Sequence, residues 1–226
     1  MFNNKKLAAA VLLTFTLLVP TSIAKKRDGA PLKTRELKEA EQRLNEMGYS
    51  TGRVDGVIDS TTRQALITFQ KWEGRKPTGS LTRAEFNAIR DATAPRPKDT
   101  GYKHVEVDLD RQVMLLTDDE GEVTKILPVS TGSGKHYKEK RMSGLAYTPR
   151  GRFKIYNKLE GWRKSPLGLL YYPNYFSDGL AIHGNPEVPH TPRSHGGVRI
   201  PMSEAKGIST QLPVGTIVLT YGPQSF

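Results

Sequence analysis

Two short stretches gather the residues of this chain best able to do chemistry: His183-Gly184 and, ten residues on, Ser194-His195-Gly196-Gly197-Val198-Arg199. Imidazole exchanges its proton near neutral pH, so these histidines are natural proton carriers. Ser194 supplies a hydroxyl that becomes a nucleophile if a base lies beside it. His183, His190 and His195, seven and five residues apart, could hold zinc with Asp178 or Glu187 as a carboxylate ligand, although these spacings match no compact metal motif. Thiol chemistry is closed: the chain has no cysteine, hence no disulfide, no thiolate metal site and no thiol nucleophile. Arg199 offers a fork for a carboxylate or phosphate-like anion, or else a structural ion pair. Gly196 allows a tight turn of the backbone that would aim amide N–H groups into a pocket. His195 either orients the site through a ring hydrogen bond or packs beneath the loop.

Composition bounds where such a site would work. Residues 1–24 read as a secretory signal, with Lys5-Lys6 as the basic start, an apolar run from Leu7 to Val19 and Ser22-Ile23-Ala24 as a small-x-small cleavage site. The run of 13 residues is shorter than the roughly 20 needed to cross a bilayer, so cleavage, with no stable membrane anchor afterwards, is the expectation. The formal charge is +11 for the whole chain and +9 once residues 1–24 are removed. A basic exported protein without nucleic-acid motifs suits an anionic polymer or surface, or is simply kept soluble by its charge. No cofactor is implied.

Elements able to position the site follow from periodicity. Leu37, Ala40, Leu44 and Met47 share one helix face, ended by Gly48. Thr61-Thr62-Arg63-Gln64 and Thr82-Arg83-Ala84-Glu85 are capping-box patterns ahead of two further apolar helix faces, so residues 34–90 predict three short helices around a small core. Residues 91–101, with Pro95 and Pro97, read as a linker that leaves two modules separately mobile. From Tyr102 the period becomes two: Val105, Val107 and Leu109 alternate with acids, and Val113–Thr117 and Val123–Val129 flank the turn Asp118-Asp119-Glu120-Gly121. Further strand-like runs are Phe153–Tyr156, Leu180–His183 and Thr216–Thr220. The fold class expected is multidomain, a small all-α three-helix bundle and then a mainly-β, sandwich-like domain over 102–223. Trp162, Tyr171, Tyr172, Tyr175 and Phe176 lie ahead of the first site stretch as core, or as a lid or groove wall.

Residues 34–90 resemble a type 1 peptidoglycan-binding domain through Leu44, Gly48-Tyr49, Val54-Asp55-Gly56, Thr61-Thr62, Ala65, Phe69-Gln70, Gly79 and Leu81. Residues 102–222 resemble the L,D-transpeptidases of the YkuD-like family. The ordered matches are Val129-Ser130-Thr131-Gly132, Thr148-Pro149-Arg150-Gly151-Arg152-Phe153, Ala181-Ile182-His183-Gly184, Ser194 to Arg199, and Pro213 to Val218. In that family a cysteine thiolate attacks the carbonyl of the third, dibasic residue of a wall peptide. The terminal D-alanine leaves, and an amine or water resolves the thioester.

The resemblance assigns His183 as proton donor and acceptor, His195 and Ser194 as supports, Gly196 to the oxyanion loop, and Arg199 and Gly184 to substrate binding. It puts the nucleophile at Gly197, where a hydrogen replaces the thiol. Peptidoglycan stem peptides and glycan are the implied partners, and the bacterial periplasm or cell wall the implied location. Three functions follow: a transpeptidase that needs Cys restored at 197, a natural non-catalytic peptidoglycan-binding protein, or a metal- or serine-dependent wall hydrolase.

Overall fold

The computed structural model describes residues 31–139 and 142–223; the expected signal segment, 1–24, lies outside them. Three helices come first: α1 (Thr34–Glu46), α2 (Ser60–Trp72) and α3 (Arg83–Asp91). Helix α1 ends where expected, with Gly48 at φ 96°. Thr82 caps α3, its hydroxyl accepting the Glu85 N–H at 3.2 Å. The cap of α2 differs from expectation. Asp59, not Thr61, is its N-cap, and one carboxylate oxygen accepts the N–H groups of Thr61 and Thr62 at 2.9 and 2.8 Å. A carboxylate two residues earlier satisfies two orphan donors at once, which a hydroxyl at Thr61 cannot do.

The remainder is mainly β. The first sheet runs in the order β3 (Val123–Pro128), β2 (Val113–Thr117), β1 (His104–Asp108), β12 (Ile217–Tyr221) and β6 (Gly151–Lys154). The second runs β11 (Val198–Pro201), β10 (Leu180–Asn185), β9 (Gly168–Ser177) and β7 (Asn157–Lys158), with β8 (Trp162–Ser165) also paired to β9. A separate hairpin joins β4 (His136–Glu139) to β5 (Met142–Leu145). A fourth helix, α4 (Met202–Gln211), has no counterpart in the expected elements.

One core lies between the two sheets, built on Val105, Val107, Met114, Leu116, Ile182 and Val198, and closed at one end by Ala205, Ile208 and Leu212. The two parallel pairs, β1 with β12 and β10 with β11, put chain-distant segments side by side. The second pair matters most, because it sets His183 opposite Arg199.

A second core joins the two modules. Leu44, Tyr49, Leu66, Phe69 and Ile89 of the helical unit pack with Val113, Leu115 and Ile126 of the first sheet. Strand β2 is therefore covered on both faces, which is why Val113-Met114-Leu115-Leu116 is continuously apolar and all five of its residues are buried. Polar contacts reinforce the seam. The Ile126 N–H donates to the Gly48 carbonyl at 2.8 Å, and the Arg111 guanidinium lies 5.0 Å from the Trp72 ring centre. Buried Lys71 donates to the Gln112 and Val129 carbonyls at 3.3 and 3.5 Å.

The expectation of separately mobile modules is thus overturned. Even the linker is held, as the N–H groups of Lys98 and Asp99 both donate to the buried Glu106 carboxylate, at 2.7 and 2.9 Å.

Candidate functional site

Strand β10 carries His183 into a cavity of about 940 Å³, lined also by His195, Gly197 and Arg199. The His183 ring is 5% exposed, and its Nδ1 lies 3.0 Å from the Gly184 carbonyl. A carbonyl only accepts, so Nδ1 carries the proton and Nε2 is left with its lone pair. Burial draws the His183 pKa down to about 4; the Gly184 carbonyl opposes this and the Arg199 charge adds to it. The ring is therefore neutral at pH 7, with a basic nitrogen facing position 197.

Gly197 is what that nitrogen faces. A Cβ built there would lie 3.3 Å from His183 Nε2 and 3.1 Å from the Ala181 carbonyl oxygen. A small side chain fits with a shift of a few tenths of an ångström, and its next atom would be within reach of the imidazole. As the chain stands, the position holds no reactive atom.

The loop between β10 and β11 is held by segments distant in sequence. The Ser130 hydroxyl donates to the Thr191 carbonyl at 2.9 Å and accepts the Arg193 N–H at 3.1 Å. Thr148 donates through Oγ1 to the Gly196 carbonyl at 2.7 Å and accepts the Gly132 N–H at 2.9 Å. The Ser-Thr-Gly and Thr-Pro stretches therefore act as anchors of the site loop.

The other expected site residues divide. Ser194 donates its hydroxyl proton to the Gly197 carbonyl at 2.5 Å and accepts the Gly196 N–H at 3.0 Å. That arrangement makes it a brace of the loop, with its proton already engaged. Because the Gly196 N–H is bound to Ser194, it is not a free oxyanion donor. Gly196 serves through conformation, at φ +134°, where a Cβ would come within 2.8 Å of the Tyr147 carbonyl oxygen.

Gly184 is buried and is not among the residues lining the cavity. Its carbonyl orients His183, and a Cβ there would meet Ala205 at 2.6 Å, so its place is behind the site, against α4. Arg199 lines the cavity half-buried, its guanidinium drawn below its ordinary pKa by burial, with Glu187 opposing. His195 has Nε2 2.9 Å from the Glu139 carboxylate and stands edge-on to Tyr137, ring centres 4.8 Å apart, tying the β4–β5 hairpin to the site.

A compact zinc site does not form from the three histidines. His190 borders other cavities, and no group of three His, Asp or Glu suited to a metal occurs among the described residues. Of the five aromatic residues ahead of the first site stretch, Tyr175 lines the cavity. Phe176 belongs to the core, and Trp162 is exposed, its ring tilted against that of Tyr171 with centres 4.9 Å apart. The cavity walls that periodicity missed are Tyr137, Met142 and Leu145 of one hairpin and the Pro166-Leu167 tip of the β8–β9 hairpin. These strands are short, polar and half-exposed, so they carry no regular apolar alternation.

Comparison with known proteins identifies both modules. The family model of the YkuD L,D-transpeptidase catalytic domain matches residues 102–219, and that of a peptidoglycan-binding domain matches 33–89. The chain belongs to the L,D-transpeptidase family. A solved L,D-transpeptidase from Xylanimonas cellulosilytica is 36% identical, with 82% of this chain and 93% of that one covered and a TM-score of 0.77. An L,D-transpeptidase from Stackebrandtia nassauensis is 25% identical, with 84% and 92% covered and a TM-score of 0.49. No curated protein matches significantly. The chain itself contains no cysteine.

Proposed function

We propose that this chain is a peptidoglycan-binding member of the L,D-transpeptidase family that holds a wall stem peptide without forming a thioester. The observation that carries the reading is Gly197 in a chain without cysteine, at a position where only a missing side chain separates the backbone from His183 Nε2. Deleting a catalytic nucleophile costs on the order of 10⁶ in turnover even when the rest of the site remains. Binding has no such requirement.

The cavity suits an extended peptide with carboxylates. Its volume of about 940 Å³ is at the large end for a ligand site, and Arg199 provides a half-buried cation beside a neutral imidazole. The family's wall peptides have this chemistry, and the helical module supplies a second contact with the same polymer. An exported location, in periplasm or wall, goes with such a ligand and with residues 1–24. No helix among the described residues is long and apolar enough to cross a membrane.

The test is sedimentation of the purified chain with isolated sacculi at low salt. Co-sedimentation that soluble tetrapeptide fragments compete away is expected; a chain that stays in the supernatant would end the proposal.

A further inference from the structure

The seam between the helical unit and the transpeptidase domain contains a cavity of about 500 Å³. Gln64 and Ile67 of α2 form one wall; Asn185, Val188 and His190 form the other, with Met202 at the start of α4. Two features connect it to the site. Asn185 borders this cavity and the His183 cavity alike, so the two are neighbours along β10. The side chain of Asn185 is anchored from the loop side, its Oδ1 accepting the Glu187 N–H at 2.9 Å.

The lining has a particular chemistry. In a chain of net charge +11 it holds no Lys, Arg, Asp or Glu. Amide, imidazole and hydroxyl groups from Gln64, Asn185, His190 and Ser203 alternate with apolar surface from Ile67, Val188, Met202 and prolines. Such a lining suits a neutral ligand with hydroxyl and amide groups on one face and C–H groups on the other. A phosphodiester polymer would leave its charge unpaired there.

Length supplies the last argument. In a wall strand, two peptide residues and a lactyl unit separate the third stem residue from its sugar, three extended units or about 10 Å. From His183 to Asn185 the strand advances about 7 Å, and the next residues reach Val188. A stem peptide whose third carbonyl lies at position 197, running along β10, would bring its sugar to this seam.

We infer that the seam is the sugar subsite for the same wall strand whose stem peptide occupies the His183 cavity. The inference rests on the stem-peptide reading above. The helical module then does more than tether: with the β10–β11 loop it forms one continuous site for peptide and N-acetyl sugar. His190 also borders a further cavity of about 630 Å³, whose lining, unlike the seam's, is charged.

The experiment is calorimetric titration of the full chain with a synthetic tetrapeptide and with the same tetrapeptide attached to its disaccharide. The sugar-bearing ligand should bind at least tenfold more tightly. Gln64→Trp and Ser203→Trp, both at exposed positions, fill the seam. They should lower the affinity for the sugar-bearing ligand to that for the bare peptide and leave the bare peptide's unchanged. Equal affinities in the unsubstituted chain would overturn the inference, as would seam variants that weaken both ligands alike. If neither ligand binds, the stem-peptide reading falls, and the sugar subsite with it.

Discussion

At the scale of the residue, the site is a buried neutral imidazole beside a position with no side chain. His183 has the tautomer, burial and orientation to take a proton from an atom attached at position 197. Gly197→Cys should therefore confer release of D-alanine from tetrapeptide-bearing wall fragments. Adding His183→Gln should lower that release by about 10²–10⁴. A folded, thiol-reactive Gly197→Cys protein that releases none would mean the surroundings have diverged from catalysis. His183 also makes a prediction about stability. Its folded pKa of about 4 lies below its ordinary value of 6.5, so the unfolded chain binds the proton more readily. The stability contributed is complete above pH 6.5 and is lost as pH falls through 4, about 3 kcal/mol in all. Urea midpoints measured from pH 7 to pH 4 should show this slope, and His183→Gln should flatten it.

At the scale of the element, local capping and long-range anchoring do different work. Asp59 satisfies two N–H groups at the start of α2, whereas Thr61 lies inside that helix. Asp59→Ala should lower the melting temperature clearly more than Thr61→Ala does, as read by circular dichroism. The reverse order would return the cap to Thr61. The loop from β10 to β11 is organised differently: its shape depends on Ser130 and Thr148, residues remote in the chain that accept and donate hydrogen bonds to it. Those motif residues are positioning residues and do not reach the cavity.

At the scale of the whole molecule, the shared core makes the two modules one structural body. Leu115 points from the first sheet into the helical unit and is fully buried. Leu115→Ala should cost about 2–5 kcal/mol. It should lower the stability of both modules together, so that calorimetry records one unfolding transition before and after the change. Two separated transitions in the unsubstituted chain would mean that the interface contributes little. The same packing creates the seam beside Asn185, which neither module forms alone.

What the sequence by itself determined is the content of each module. Helical spacing over 34–90, alternation from Val105 and the ordered short motifs led to the three helices, the mainly-β domain and the family, because periodicity and capping are local properties. It also determined the missing nucleophile, since composition alone excludes a thiol. Helix α4 escaped because its buried face is only Ala205, Ile208 and Ser209, too short for a clear period, and the two hairpins roofing the cavity escaped because largely exposed strands have no regular alternation. Only the tertiary structure decided how the pieces meet. It set Arg199 beside His183, gave the Gly196 amide to Ser194, moved Gly184 behind the site and closed the helical unit onto strand β2. These depend on contacts between residues far apart in the chain, where the non-directional burial of apolar surface chooses the neighbours and the hydrogen bonds then select the geometry.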